Sequence, residues 1–118
     1  MVYELRSYTV RENKLQDFMK FYGEKALPLI ESTLDNRGKL VGHWVTKRRE
    51  LMNVEQQDIQ VLDEGEVNYM LAFNNEEKRN EYWNVFYEVF AEHMAEWMSL
   101  CHKADNRIME TTEYHPLK

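Results

Sequence analysis

Residues 2–10 (VYELRSYTV) are rich in β-branched and aromatic types and contain no breaker. They predict a strand with Tyr3, Leu5, Ser7 and Thr9 on one face and Val2, Glu4, Arg6, Tyr8 and Val10 on the other. Asn13, followed by Gln16, has the spacing of a helix N-cap and capping box. Leu15, Phe18, Met19, Tyr22 and Ala26 then form the apolar stripe of a first helix. Pro28 removes a backbone donor and crowds the preceding turn, so the helix should kink or break there, with a further helical piece over 29–34.

Gly38 opens a second strand over 39–47 (KLVGHWVTK), and a third is expected over 67–73 (VNYMLAF). Between them, over 48–66, periodicity is lost and acidic residues accumulate; a long hairpin connection with a short strand at 59–62 is the expectation. Asn74 and Glu77 have capping-box spacing for a second helix, which meets no Gly or Pro before about His102. Steps of 100° bring Tyr82, Phe86, Val89, Phe90, His93, Trp97 and Leu100 into one arc, while Glu88, Glu92 and Glu96 form a solvated opposite face. A last strand is expected over 107–114, stopped by Pro116.

The order β-α-β, connection, β-α-β predicts a single α+β domain over 1–118. The expected architecture is ferredoxin-like βαββαβ, with a four-stranded antiparallel sheet covered by helices on one face. The other face, carrying Val2, Tyr8, Val10, Val41 and Val45 or their out-of-phase neighbours, would be a large apolar patch. Glu4, Arg6, Arg107, Thr111 and Glu113 make that face partly polar on strands one and four, whereas strands two and three are apolar on both faces. Covering the patch with a second copy predicts a homodimer whose two sheets close into a dimeric α+β barrel.

Composition narrows the function classes. A net charge of −6 argues against nucleic acid as a partner. No apolar run reaches the ~20 residues of a membrane span. Strand-like sequence from Val2 argues against a signal peptide, and Cys101 as the one cysteine excludes an internal disulfide; a cytoplasmic location is expected. Glycine-rich phosphate loops, nucleophile elbows and zinc-helix motifs are absent.

Several residues resemble a known family. Tyr3-Glu4-Leu5-Arg6-Ser7-Tyr8 is similar to the Y-E-L-R-x-Y signature of NIPSNAP domains, a branch of the dimeric α+β barrel superfamily. Leu27-Pro28-Leu29, Gly38-Lys39-Leu40-Val41-Gly42 before Trp44, and 69–79 (YMLAFNNEEKR) extend the likeness over most of the chain except 48–66. The connection is longer and more acidic than in the family, and Met70, Leu71 and Phe73 replace its usual strand-three tryptophan and tyrosine. The resemblance implies a homodimer whose wider superfamily includes cofactor-free monooxygenases, isomerases and haem-handling proteins.

His93, central in the apolar arc, is the candidate catalytic base, or a haem ligand if haem is the cofactor; it equally suits a core position bonded to a strand group. Arg6 offers a forked clamp for a carboxylate, or pairs with Glu4; Tyr8 shares its face. Phe90 and Trp97, with Met94 and Met98, form a soft wall for a planar ligand, and Trp44 is either packing or a ligand platform. Three functions follow: a domain binding a small apolar or carboxylated metabolite, with or without cofactor-free catalysis; a haem-binding or haem-degrading protein; and a non-enzymatic partner-binding domain using the acidic 48–66 segment.

Overall fold

The computed structural model describes residues 1–62, 65–112 and 114. Strand β1 (Val2–Val10) is followed by a continuous helical stretch made of α1 (Leu15–Phe21), a π-helical turn (Tyr22–Ala26) and α2 (Leu27–Leu34). Next come β2 (Gly38–Val45), β3 (Arg49–Asn53), β4 (Asp58–Leu62) and β5 (Glu66–Phe73). Helix α3 (Glu76–Phe90), a 3-10 turn (Ala91–His93), α4 (Met94–Leu100) and β6 (Cys101–Glu110) complete the chain order. Strands β2, β5, β1 and β6 lie side by side in that order and pair antiparallel, which is the ferredoxin-like arrangement.

The helices cover one sheet face only. Val67, Tyr69, Leu71 and Phe73 alternate toward them from β5, and Val2, Glu4, Arg6, Tyr8 and Val10 from β1. They meet Phe18, Phe21, Tyr22, Ile30, Tyr82, Phe86 and Phe90, a core built largely of aromatic rings. Gly38 is required by close approach: a Cβ there would stand 2.5 Å from the Ala72 carbonyl oxygen and 2.7 Å from the Phe73 ring.

Local departures from expectation have physical causes. Asn13 does not cap α1; its φ of 64° makes it the left-handed residue of the turn, and Lys14 takes the N-cap position. Pro28 does mark a change of helical register. The extra residue is absorbed just upstream, where the Leu27 N–H bonds the Tyr22 carbonyl five residues back, and Pro28 sits in the first turn of α2, where no donor is missed. Asn75, not Asn74, caps α3, accepting from the Lys78 N–H at 2.9 Å.

The second helical stretch also breaks where none was expected. It narrows to a 3-10 turn at Ala91–His93 and ends at Leu100. The last strand then begins at Cys101, six residues earlier than expected, because β6 finds partners along the whole of β1, from Val10↔Cys101 to Val2↔Glu110. That pairing outweighs the turn-like Asp105-Asn106 pair, which lies inside the strand. The connection contains a full hairpin, β3 with β4, rather than one short strand. Asp63, Glu64, Glu113, His115 and Pro116 lie outside the described residues.

One reading of sheet polarity is reversed. Glu4 and Arg6 do not wet the open face; they point under the helices, and Glu4 is fully buried. The open face is the out-of-phase set: Tyr3, Leu5, Ser7, Trp44, Met70 and Met109. Among the described residues, no helix is long and apolar enough to cross a membrane.

Candidate functional site

The aromatic core is not completely filled. A void of about 60 Å³ lies between the helices and the sheet. Its floor is Arg6 and Tyr8 from β1 and Tyr69 from β5. Phe18, Phe21, Tyr22, Ala26 and Ile30 wall it from the first helical stretch; Trp83, Phe86, Tyr87, Phe90, Met94 and Trp97 wall it from the second. The π turn matters here, because it sets both Tyr22 and Ala26 against the void. Tyr87 is 54 % exposed, so the lining reaches the surface on that side.

Beneath the aromatic wall sits a charged network. Glu4 Oε1 accepts from Arg79 Nε at 2.7 Å and from the Trp83 indole N–H at 3.0 Å, while Oε2 accepts from Arg6 Nη1 at 3.0 Å. The Arg6 guanidinium lies 4.1 Å from the centre of the Trp83 ring. Its remaining donors face the Tyr8 hydroxyl at 3.4 Å, and that hydroxyl pairs with the Tyr69 hydroxyl at 3.0 Å. Burial alone would raise the Glu4 pKa, but hydrogen bonds from Arg79, Trp83 and Arg6 hold it below the usual carboxylate range. Burial would lower that of Arg6, yet its interactions with Tyr8, Tyr69 and Glu4 prevail and it stays charged. Two guanidinium groups thus share one carboxylate, giving the network one net positive charge, with Arg6 at the base of an otherwise apolar void and Arg79 at its partly exposed end.

The hydroxyls respond to burial as well. Tyr69 is held neutral far above its ordinary range by desolvation, and Tyr22 is shifted the same way. The Tyr82 hydroxyl has no hydrogen-bond partner among the described residues, although its side chain is completely buried. Leaving such a group unpaired costs about 1–3 kcal/mol. Tyr82→Phe is therefore expected to stabilise the protein by about 1 kcal/mol, read as a higher urea midpoint with unchanged slope. A lower midpoint would show that the hydroxyl finds a partner in solution.

Four residues singled out from sequence, Arg6, Tyr8, Phe90 and Trp97, line the void together. Trp44 lies elsewhere: it is on the open sheet face, 51 % exposed, with its indole over Gly42. His93 is half-buried in the 3-10 turn, where its imidazole packs against Phe21 and Phe90, and it is not among the lining residues. His43 reaches the helix side and lies 3.4 Å from the Tyr22 hydroxyl. Cys101 is buried, donates to the Trp97 carbonyl, and burial pushes its pKa up to about 11, so it is a protonated thiol at neutral pH.

Arg79, Trp83 and Tyr69 were not singled out. The available signal was two charged residues, Glu4 and Arg6, in the apolar phase of β1, a pattern that demands buried partners. The residues present do not fit haem: the void is many times smaller than a porphyrin, and no histidine lines it. No cluster of potential metal ligands occurs among the described residues.

No family model and no curated protein matches the chain. Solved structures do. An uncharacterized NIPSNAP domain protein from Burkholderia xenovorans matches with a TM-score of 0.76 at 14% identity, over 98% of this chain and 99% of that one. A NIPSNAP family protein from Agrobacterium tumefaciens matches with a TM-score of 0.73 at 20% identity, over 99% and 98%. A dimeric ferredoxin-like protein from an uncultured marine organism matches with a TM-score of 0.61 at 18% identity, over 95% and 94%. At such identities the likeness establishes the fold.

Proposed function

We propose that this chain, which has the fold of NIPSNAP domain structures, is a homodimeric binding domain for a small, mostly apolar molecule carrying a carboxylate or another oxyanion. The carrying observation is the buried Arg6 guanidinium at the base of an aromatic void, where it shares its one carboxylate partner, Glu4, with Arg79. An anion there would complete the pairing of two guanidinium groups with one carboxylate, and charge-assisted bonds in a poorly hydrated site are the stronger ones. The size of the void decides how a ligand would sit. A dry cavity of about 150 Å³ accepts a benzene ring, so 60 Å³ accommodates the anionic head, with the apolar body between Tyr87, Met94 and Trp97.

Binding is favoured over proton transfer by the lining itself, which contains no carboxylate and no imidazole. Arg6 and Tyr8 would hold the anion, and Phe90 and Trp97 the body. The dimer reading rests on the open face, where Trp44 and Met109 are exposed and Leu5 and Met70 are only half-buried. The dimeric state of the marine ferredoxin-like protein supports it.

Titration with benzoate against toluene, followed by the emission of the lining residues Trp83 and Trp97, tests the reading. Benzoate should give a saturable change and toluene a much weaker one. Arg6→Met should weaken benzoate at least tenfold while preserving the fold, since Glu4 keeps Arg79 and Trp83 as donors. Equal response to both probes, or an Arg6→Met variant that binds benzoate as before, would refute it.

A further inference from the structure

The β3–β4 hairpin has no place in the core of its own subunit. None of residues 49–62 is buried, and none joins the hydrophobic cluster. Strands β3 and β4 have substantial contacts only with each other among the elements of the fold, so the hairpin projects as an arm rather than folding back on the sheet. An isolated two-stranded hairpin is marginally stable in water.

The arm carries apolar side chains on both faces, Leu51 and Leu62 on one and a larger set on the other. Register places Met52 opposite Ile59 and Glu50 opposite Val61, whereas Leu51 faces Gln60 and Asn53 faces Asp58 on the other side. Met52, Ile59 and Val61 are 66 %, 55 % and 57 % exposed, and Val54 in the adjoining turn is 79 % exposed. Together they present on the order of 500 Å² of apolar surface, the size of patch that marks an interface.

The open sheet face carries a groove of its own. It measures about 350 Å³ and is lined by Tyr3, Met70 and Met109 with Glu110, Thr111 and Thr112. This groove lies at the β1 end where Tyr3 meets Met109; the arm leaves from the opposite end, where Thr9 meets Glu66. The six residue steps from Tyr3 to Thr9 separate them by roughly 20 Å, with the arm directed away, so it cannot fill its own groove.

We infer that the arm is a clasp for a second copy of the chain, laying Met52, Ile59 and Val61 against the open sheet face beside the partner's groove. A twofold axis lets both arms do this at once and closes the assembly. Two such contacts and the surfaces they cover would bury roughly 2,000 Å² in total, within the range of stable interfaces. This inference rests on the proposed dimer and adds to it the segment that secures it.

Sedimentation of the full chain tests both, separately. Wild type should be dimeric. Ile59→Glu with Val61→Glu should raise the dimer dissociation constant roughly a hundredfold, whereas Gln60→Glu, on the other face of the arm, should leave it unchanged. In a second measurement that keeps the apolar contact mostly intact, Ile59→Cys with Met70→Cys should oxidise to a covalent dimer on a non-reducing gel. A wild-type dimer that the double glutamate variant does not weaken overturns the clasp and leaves sheet-to-sheet pairing standing. A monomeric wild type overturns the clasp and the dimer together, and leaves the Arg6 binding site to be judged by its own titration.

Discussion

Replacing Glu4 by leucine is expected to lower stability by about 3–5 kcal/mol, the cost of stripping the partner from a buried charge. Three donors lose their acceptor at once: the guanidinium groups of Arg6 and Arg79 and the indole N–H of Trp83. Arg6 suffers most, because it is buried and left with only two long contacts to the Tyr8 hydroxyl. Against a typical total of about 5–15 kcal/mol, the variant would sit near unfolding. Arg6→Met should be much milder, since it removes the surplus charge and leaves Glu4 paired with Arg79. Urea denaturation of the two variants beside wild type checks the order; equal losses would refute the asymmetry.

The same carboxylate sets a pH dependence. Its pKa is lower in the folded protein than in the unfolded chain, so its stabilisation is complete above the ordinary carboxylate range. It is lost as pH falls through that range and below, where the unfolded state binds a proton more readily. Glu4→Gln removes the titrating group, so the acid-side decline in urea midpoint should be shallower in the variant than in wild type.

Phe86→Ala should cost about 3–5 kcal/mol, because it deletes a buried ring and leaves a cavity. Phe86 stacks between Tyr82, at 5.6 Å, and Phe90, at 5.1 Å, and stands edge-on to Trp83. It also walls the existing void, so the space it leaves would join the 60 Å³ already there. The merged cavity would be apolar on every side but its floor, and such spaces take up benzene. Benzene should therefore raise the melting temperature of Phe86→Ala and leave wild type almost unmoved. A variant that melts lower but gains nothing from benzene would mean that the helices collapse into the gap.

Much of the fold was legible in local pattern. Strand β1, the apolar stripe Leu15, Phe18, Met19, Tyr22 and Ala26, and strand β5 obey simple periodicities, and the ferredoxin-like order follows from their sequence. Strand β6 was only partly legible: Cys101 to Asn106 carry no β signal and are held by pairing with β1. The hairpin arm was obscured because charged residues interrupt its alternation. The candidate site was half legible. Arg6, Tyr8, Phe90 and Trp97 stand out by type and phase, whereas Arg79 and Trp83 become site residues only when α3 crosses β1 and meets Glu4.

What the chain by itself determined is the main helices and sheet strands and which of their faces are apolar, because periodicity is a property of neighbours along the backbone. Only the tertiary structure decided which face of the sheet the helices cover. It turned Glu4 and Arg6 inward, placed Trp44 outward, kept His93 off the lining of the void and made Arg6, at its base, share one carboxylate with Arg79. Those outcomes depend on contacts such as that of Glu4 with Trp83, 79 positions away, whose desolvation and pairing energies no local pattern encodes.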